Sequence, residues 1–316
     1  MPYDLSIVIP AFNEKAVLPQ TLDTIKAIVE AENVSYEIIV VDDGSTDNTS
    51  TLIDDIHSKI PEIKGIVLSR QFGKEAALYA GLKHSSGKAV ITLDADLQHP
   101  PGLIPEMLEH WRKGAEIVHG VKQDRRADSL PQRFSAAVYS AVFSRFSGLD
   151  LRGSSDFKLL DRRVVDVLTN SLPEYGRFYR GLSAWVGYRQ VGIPFDVAPR
   201  ESGESRWGGL NLIRYAIRTV TAFSSLPLMI VPLLGLVMLV IALILGTEAI
   251  LSRLSGNAIS GFATLEITIL FSGSLIMIGL GVIGQYLARI FDEIKGRPVC
   301  LISHFIGLDS SSDTPR

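Results

Sequence analysis

The chain has 316 residues, enough for one large domain or two small ones, and 47% of them are hydrophobic, with a positive mean hydropathy that is high for a purely soluble protein. A net charge of −3 gives no reason to expect a nucleic-acid partner, and a single cysteine, Cys300, excludes an internal disulfide framework and a cysteine metal site. The first residues run from Asp4 into a strand-like stretch with no basic region or cleavage site, which argues against a secretory signal.

In chain order, Leu5–Pro10 reads as a buried parallel strand and is followed by Ala11-Phe12-Asn13-Glu14. Apolar residues at helical spacing predict a helix over Val17–Val29. A second strand, Tyr36–Val41, ends in Asp42-Asp43-Gly44-Ser45-Thr46-Asp47. A short helix over Thr49–Ile60, a strand over Gly65–Leu68, a helix over Lys74–His84 and a strand over Ala89–Leu93 complete four strand–helix alternations. That alternation predicts an α/β fold with a doubly wound, mostly parallel sheet. Ligands of such sheets bind beyond the carboxyl ends of the strands, where all three polar clusters fall.

Each cluster has candidate chemistry and a plainer reading beside it. Asp42 or Asp43 would accept hydrogen bonds from a ribose or a base, while Asp43-Gly44 also reads as a turn. Asn13 and Glu14 would face a ligand or cap the next helix. Lys74 would reach a diphosphate or simply open a solvated helix. The third cluster is Thr92-Leu-Asp-Ala-Asp-Leu-Gln-His-Pro100. If the chain stays extended there, alternate residues Asp94, Asp96 and Gln98 line one side. Three oxygen donors held together suit a hard divalent cation, Mg²⁺ or Mn²⁺.

Ser6-Ile-Val-Ile-Pro-Ala-Phe-Asn-Glu14, Val40-Val-Asp-Asp-Gly-Ser-Thr-Asp47 and Leu93-Asp-Ala-Asp-Leu-Gln-His-Pro100 resemble the family 2 glycosyltransferases with the Rossmann-like GT-A fold. The Asp-Ala-Asp-Leu-Gln form is similar to the polyprenyl-phosphate glycosyltransferases, the group that includes dolichol-phosphate mannose synthases and bacterial undecaprenyl-phosphate glucosyltransferases. The resemblance implies that Pro10, Ala11, Glu14, Asp43, Asp94 and Ala95 surround the nucleotide. It also implies that Asp96 and Gln98, beside Asp94, hold the metal against the diphosphate. Processive members carry Gln-x-x-Arg-Trp, which Gln132-Arg133-Phe134 does not match, so single-sugar transfer is expected rather than chain synthesis.

Beyond a helix at Glu106–Trp111 and a strand at Glu116–Gly120 the chain becomes rich in arginine, beginning with Arg125, Arg126 and Arg133. Such a surface suits anionic headgroups or an acceptor phosphate, for which Arg126 and Arg133 are candidates; solvated helix faces are the alternative. Ser129–Phe143 has helical apolar spacing and few acids, as expected of a helix near the membrane surface. Asp156 follows small residues and precedes an apolar strand. The resemblance gives it the acceptor-side carboxylate role, but a lipid phosphate is already largely ionised, so orienting the acceptor is as consistent as removing a proton. Arg200-Glu-Ser-Gly-Glu-Ser-Arg206 is similar to a family loop, which implies that Arg200, Ser205 and Arg206 touch phosphate; it also reads as a linker.

Trp207–Ser225 repeats apolar residues at helical spacing with Arg214 and Arg218 among them, the pattern of an interfacial helix. Leu226–Leu245 and Ile267–Leu287 are charge-free and each about the ~20 residues that cross a bilayer. Basic residues flank the pair on its outer ends, which predicts that both ends face the cytoplasm of a multi-pass inner-membrane protein. Glycines 273, 279, 281 and 284 would let helices approach, consistent with a homo-oligomer. The expected organisation is a GT-A domain over 1–206, an interfacial helix over 207–225, two transmembrane helices over 226–297 and a cytoplasmic tail over 298–316. The expected reaction is inverting transfer of one hexose from a nucleotide-sugar donor, UDP-glucose first and GDP-mannose second, to polyprenyl phosphate. A lipid alcohol or glycan acceptor, and a non-catalytic scaffold for lipid-linked sugars, are the competing readings.

Overall fold

A computed structural model describes residues 3–97, 99–122, 154–172, 174–195, 226–255 and 262–308. The chain divides into two compact units, one formed by Met1–Trp207 together with Arg297–Arg316, the other by Gly208–Gly296.

The first unit is built on an eight-stranded sheet. In chain order its strands are β1 (Tyr3–Ala11), β2 (Tyr36–Asp42), β3 (Ile63–Leu68), β4 (Gly87–Thr92), β5 (Ile117–Lys122), β6 (Ser154–Asp161), β7 (Gln190–Phe195) and β8 (Ile302–Ile306), and they lie side by side as β7-β5-β6-β4-β1-β2-β3-β8. β1, β2, β3 and β4 form a parallel block. Their near-continuous Ile/Val runs are buried on both faces, as central parallel strands require. Helix α1 (Leu18–Ala31) buries Leu18, Leu22, Ile25 and Val29, one face at helical spacing. The next two helices are α2 (Thr49–His57) and α3 (Lys74–His84). α3 presents small residues to the sheet; a Cβ on Gly81 would stand 2.2 Å from Val8 Cγ1, so only glycine permits this approach. That close seating is what brings Lys74, the first residue of α3, to the sheet edge. α4 (Ile104–Arg112) follows, then α5 (Arg162–Asp166) and α6 (Tyr179–Trp185).

Two features refine the sequence expectation. The sheet is mostly parallel, in four of its seven pairings, but β6 runs antiparallel to both β4 and β5. And β8, within the segment expected to be a tail, pairs antiparallel with β3: Gly65 stands opposite Ile306, and Ile306 is buried in the core. Burial of one isoleucine and pairing of the β3 edge give this segment a place in the fold that the tail reading of 298–316 does not include.

The second unit contains α7 (Leu226–Leu254) and α8 (Phe262–Ile294), both apolar on nearly every exposed side. They hold candidate membrane spans of 22 residues, Pro227–Glu248, and 28 residues, Ile267–Ile294. A Cβ on Gly279 would meet Val231 Cγ1 at 3.1 Å, so this glycine marks the close approach of the two helices. The interfacial helix expected over 207–225 lies outside the described residues.

Candidate active site

At the carboxyl edge of the parallel block three loops are locked to one another by backbone bonds. After β1, the carbonyl of Ala11 accepts the N–H of Asp43, 2.9 Å. Asn13 sits in the left-handed region, φ 57°; its N–H goes to Ser45 Oγ at 2.8 Å and its side-chain oxygen accepts the N–H of Thr46 at 2.8 Å. Asn13 therefore staples the β1 loop to the β2 loop; it neither caps α1 nor lines the cleft described below. Asp42, also expected at the nucleotide, is buried and turns its Oδ1 to the N–H of Ser45, closing a turn. Asp43 is different. Its carboxylate accepts the N–H groups of Phe72 and Gly73, at 2.7 and 2.9 Å, while bordering the cleft. Burial pushes its carboxyl up despite those bonds. Gly44, φ 70°, leaves no room for a side chain, since a Cβ would lie 2.5 Å from the backbone of Arg70.

β4 stops at Thr92, and the chain then turns instead of staying extended, with Leu97 at φ 55°. Extended alternation therefore does not carry on past Thr92, although Asp94, Ala95 and Asp96 all reach the same cleft. The turn is pinned from α1, where Thr21 Oγ1 donates to the Ala95 carbonyl at 2.7 Å. Beside it His99 is buried, its ring tilted against Phe157 and its Nδ1 3.6 Å from Asp94 Oδ2. Gln98 lies outside the described residues, as do Arg126, Arg133, Arg200, Ser205 and Arg206.

The cleft has a volume of about 340 Å³. Pro10, Ala11, Glu14, Asp43, Gly73, Lys74 and Asp94–Asp96 line it, together with Phe12, Gln71 and Ala77, which are not anticipated from the sequence. Four carboxylates and one lysine thus line the same cleft. That lysine is shared: Lys74 Nζ is 2.6 Å from Asp94 Oδ1 and 2.9 Å from Asp156 Oδ2.

Asp156, on β6, is also gripped by Arg180 of α6, with Nε on Oδ1 at 3.0 Å and an Nη on Oδ2 at 2.9 Å. Burial alone would raise the Asp156 carboxyl, but Arg180 and then Lys74 outweigh it and hold it far below the usual carboxylate range. Burial likewise opposes the charge on Lys74, yet Asp156 and Asp94 keep its ammonium well above the ordinary lysine value. Thr92 Oγ1 donates to the Asp156 carbonyl at 2.6 Å and stands 2.9 Å from the Tyr179 hydroxyl, which fixes the strand beneath the carboxylate. Deeper still, fully buried Lys158 donates to Ser183 Oγ at 2.6 Å, and burial pulls its ammonium down to about 7.

Sequence reasoning missed Arg180, Glu75 and Lys158. Their signal is not local: each acquires its place only when β6 pairs antiparallel with β4 and α6 packs on β6.

Among the described residues no group of three His, Cys, Asp or Glu side chains is placed to hold a metal ion by itself. Two carboxylates, Asp94 and Asp96, do reach the cleft, and their hard oxygens fit a divalent cation whose remaining positions are filled by ligand oxygens and water.

The profile of the family "Glycosyl transferase family 2" matches residues 6–163. An uncharacterized glycosyltransferase of Synechocystis is 39% identical over 311 residues, covering 98% of both chains. A prophage bactoprenol glucosyl transferase homolog of Escherichia coli is 35% identical over 94% of this chain and 98% of its own, and the bactoprenol glucosyl transferase of Shigella phage SfV is 35% identical over 95% and 98%. Among solved structures, glucosyl-3-phosphoglycerate synthase of Mycobacterium tuberculosis superposes with a TM-score of 0.50 at 23% identity, covering 70% of this chain and 81% of that one. Mannosyl-3-phosphoglycerate synthase of Rubrobacter xylanophilus does so with a TM-score of 0.50 at 20% identity, covering 70% and 72%. These two likenesses concern the fold.

Proposed function

The chain belongs to glycosyl transferase family 2, and from that premise we propose that it transfers one glucose from UDP-glucose to a polyprenyl phosphate at the cytoplasmic face of the membrane. Full-length relatives named bactoprenol glucosyl transferase support the sugar and the lipid. The observation that carries the reading is the charge arrangement of the site: an acidic cleft joined through Lys74 to a second carboxylate, Asp156, that holds Arg180.

A nucleotide diphosphate would be repelled by Glu14, Asp43, Asp94 and Asp96 were nothing to offset them. Asp94 and Asp96 would hold a divalent ion, Mg²⁺ or Mn²⁺, which when bound neutralises the leaving diphosphate. Lys74 contributes a second, fixed positive charge at the same place. Pro10, Ala11 and Asp43, which also line the cleft, are assigned to the nucleoside.

On the other side, Asp156 is too weak a base to take a proton, because its two cationic partners hold it ionised. It needs to take none, since a phosphate monoester is ionised near neutral pH. Its role is to position Lys74 and Arg180, which orient the acceptor phosphate for attack on the anomeric carbon from the face opposite the diphosphate. Inversion of the anomeric centre follows from that single displacement.

Two apolar helices of bilayer-crossing length support a membrane location. The basic residues that flank the pair on its outer ends support a cytoplasmic side for the catalytic unit.

The deciding experiment supplies purified full-length protein with undecaprenyl phosphate and Mg²⁺ or Mn²⁺, and measures UDP release from UDP-glucose against GDP release from GDP-mannose. The expected result is acceptor-dependent UDP release and a β-linked glucosyl lipid. Faster GDP release, or no lipid product, would overturn the assignment.

A further inference from the structure

Lys74 and Glu75 are consecutive at the start of α3, and Tyr179 and Arg180 are consecutive at the start of α6. The two pairs face each other through two bridges. One is Asp156, whose Oδ2 is 2.9 Å from Lys74 Nζ and 2.9 Å from an Nη of Arg180. The other lies one residue along each chain, where Glu75 Oε2 accepts the backbone N–H of Tyr179 at 2.6 Å.

We propose that Glu75 is a positioning residue for the acceptor phosphate, setting the separation of Arg180 from Lys74 by holding the first turn of α6 against the first turn of α3. The proposal rests on the reading above, in which those two cations orient that phosphate. Three observations support it. Glu75 is tied to a backbone N–H rather than to a mobile side chain, so its bond fixes main-chain position. Arg180 is the next residue, and its bidentate hold on Asp156 tolerates little displacement. Tyr179 is anchored at its other end by its hydroxyl on Thr92, so the Glu75 bond completes a two-point mount for the residue that precedes Arg180.

Glu75 is ringed by charge: Asp156, Lys74 and Arg180 lie around it, with Lys158 of β6 and Arg177 ahead of α6 also within electrostatic reach. Burial pushes its carboxyl up to about 7, against the Tyr179 bond. Its ionisation near neutral pH changes the charge beside both cations without breaking the bond, because either form of the carboxyl accepts an N–H.

The test uses full-length protein in detergent with UDP-glucose and undecaprenyl phosphate. Glu75→Ala is expected to raise the acceptor KM about tenfold, the effect of one lost hydrogen bond on a binding geometry, and to leave the donor KM within about twofold. Glu75→Gln keeps an acceptor oxygen and is expected to restore the acceptor KM at pH 6. It also removes the part of the wild-type rise in acceptor KM between pH 6 and 8 that belongs to Glu75. A lowered Tm with both KM values unchanged, equal rises in the two, or Gln no better than Ala would overturn the proposal. Should the Ala protein not fold, Glu75→Leu, which fills the space without an acceptor oxygen, takes its place, and an unchanged acceptor KM in it would overturn the proposal alone. Wild-type protein that fails to glycosylate the lipid phosphate would instead defeat the functional reading, before any Glu75 variant is compared.

Discussion

The proposed donor half and the proposed acceptor half of this site hold their charges in opposite ways. On the donor half, loops after β1, β2 and β4 are fixed chiefly by side chains bonded to backbone: Asn13 to Thr46, Asp43 to Phe72 and Gly73, Thr21 to Ala95. Their carboxylates crowd one cleft with Lys74 as its cation. On the acceptor half, Asp156 is neutralised within the protein by Lys74 and Arg180. A half that leaves acids clustered needs a cation from solution; a half that pairs its charges is assembled in advance. Lys74 belongs to both, and couples them.

The sharpest way to break this comparison is to disable the half that depends on an added ion. Asp96→Ala is expected to lower transfer by at least ~10³-fold, as loss of a main electrostatic contributor to a displacement does. Excess Mn²⁺ is not expected to restore it. UDP release with undecaprenyl phosphate present measures the effect, and circular dichroism checks the fold. Activity within tenfold of wild type would mean that the acids of the cleft are not where the leaving group is stabilised.

Asp156→Asn attacks the other half. Removing the charge leaves Lys74 and Arg180 beside a neutral amide, and kcat is expected to fall by about 10²-fold. Its pH dependence separates positioning from proton abstraction. The folded-state pKa of Asp156 lies below its ordinary value, so the stability it contributes is present above the ordinary carboxylate range and is lost only as pH falls through the depressed value. Activity should therefore show no acid limb belonging to Asp156 between pH 5 and 9, an interval chosen to lie above the ordinary ~3.9 of an aspartate. A limb in the wild type that vanishes in the Asn protein would restore the base to consideration.

A smaller effect is expected from Arg180→Lys. The guanidinium spans both oxygens of Asp156, a geometry that an ammonium cannot copy. The acceptor KM should rise about tenfold, the equivalent of roughly 1.4 kcal/mol, with the donor KM nearly constant. Equal changes in both would show that the halves are less separate than their bonding suggests.

The same contrast explains what could be read from sequence. The donor half follows from short motifs, because a parallel strand delivers the residues right after it to the sheet edge, and Pro10, Asp43 and Asp94 need only their own strand to arrive there. Lys74–His84 was predicted with the bounds that the structure shows, since small residues and flanking strands define it locally. Arg180 and Glu75 were invisible: nothing in Tyr179-Arg180 marks it until antiparallel β6 places Asp156 opposite. β8 was equally hidden. Five residues following a long apolar helix read as tail, and only the unpaired edge of β3 and the gap that Ile306 fills give them a partner. Asn13 differs from its motif neighbours: they line the cleft, while its described bonds hold the β2 loop.

Asn13 also supplies the mildest test. In the structure its side-chain oxygen serves Thr46, and its left-handed backbone is one that asparagine adopts more readily than most residues. Asn13→Ala removes one hydrogen bond and strains that backbone, together about 2 kcal/mol of local stability. The cost falls on the junction of the β1 and β2 loops, so the donor KM should rise a few-fold while the acceptor KM stays put. Asn13→Asp keeps an oxygen for Thr46 and tolerates the same backbone, so its Tm should match the wild type, while the added carboxylate near an acidic cleft raises the donor KM by a repulsion that salt weakens. The two substitutions together decide the matter: if Asp were as destabilised as Ala, the bond to Thr46 would not be what Asn13 contributes.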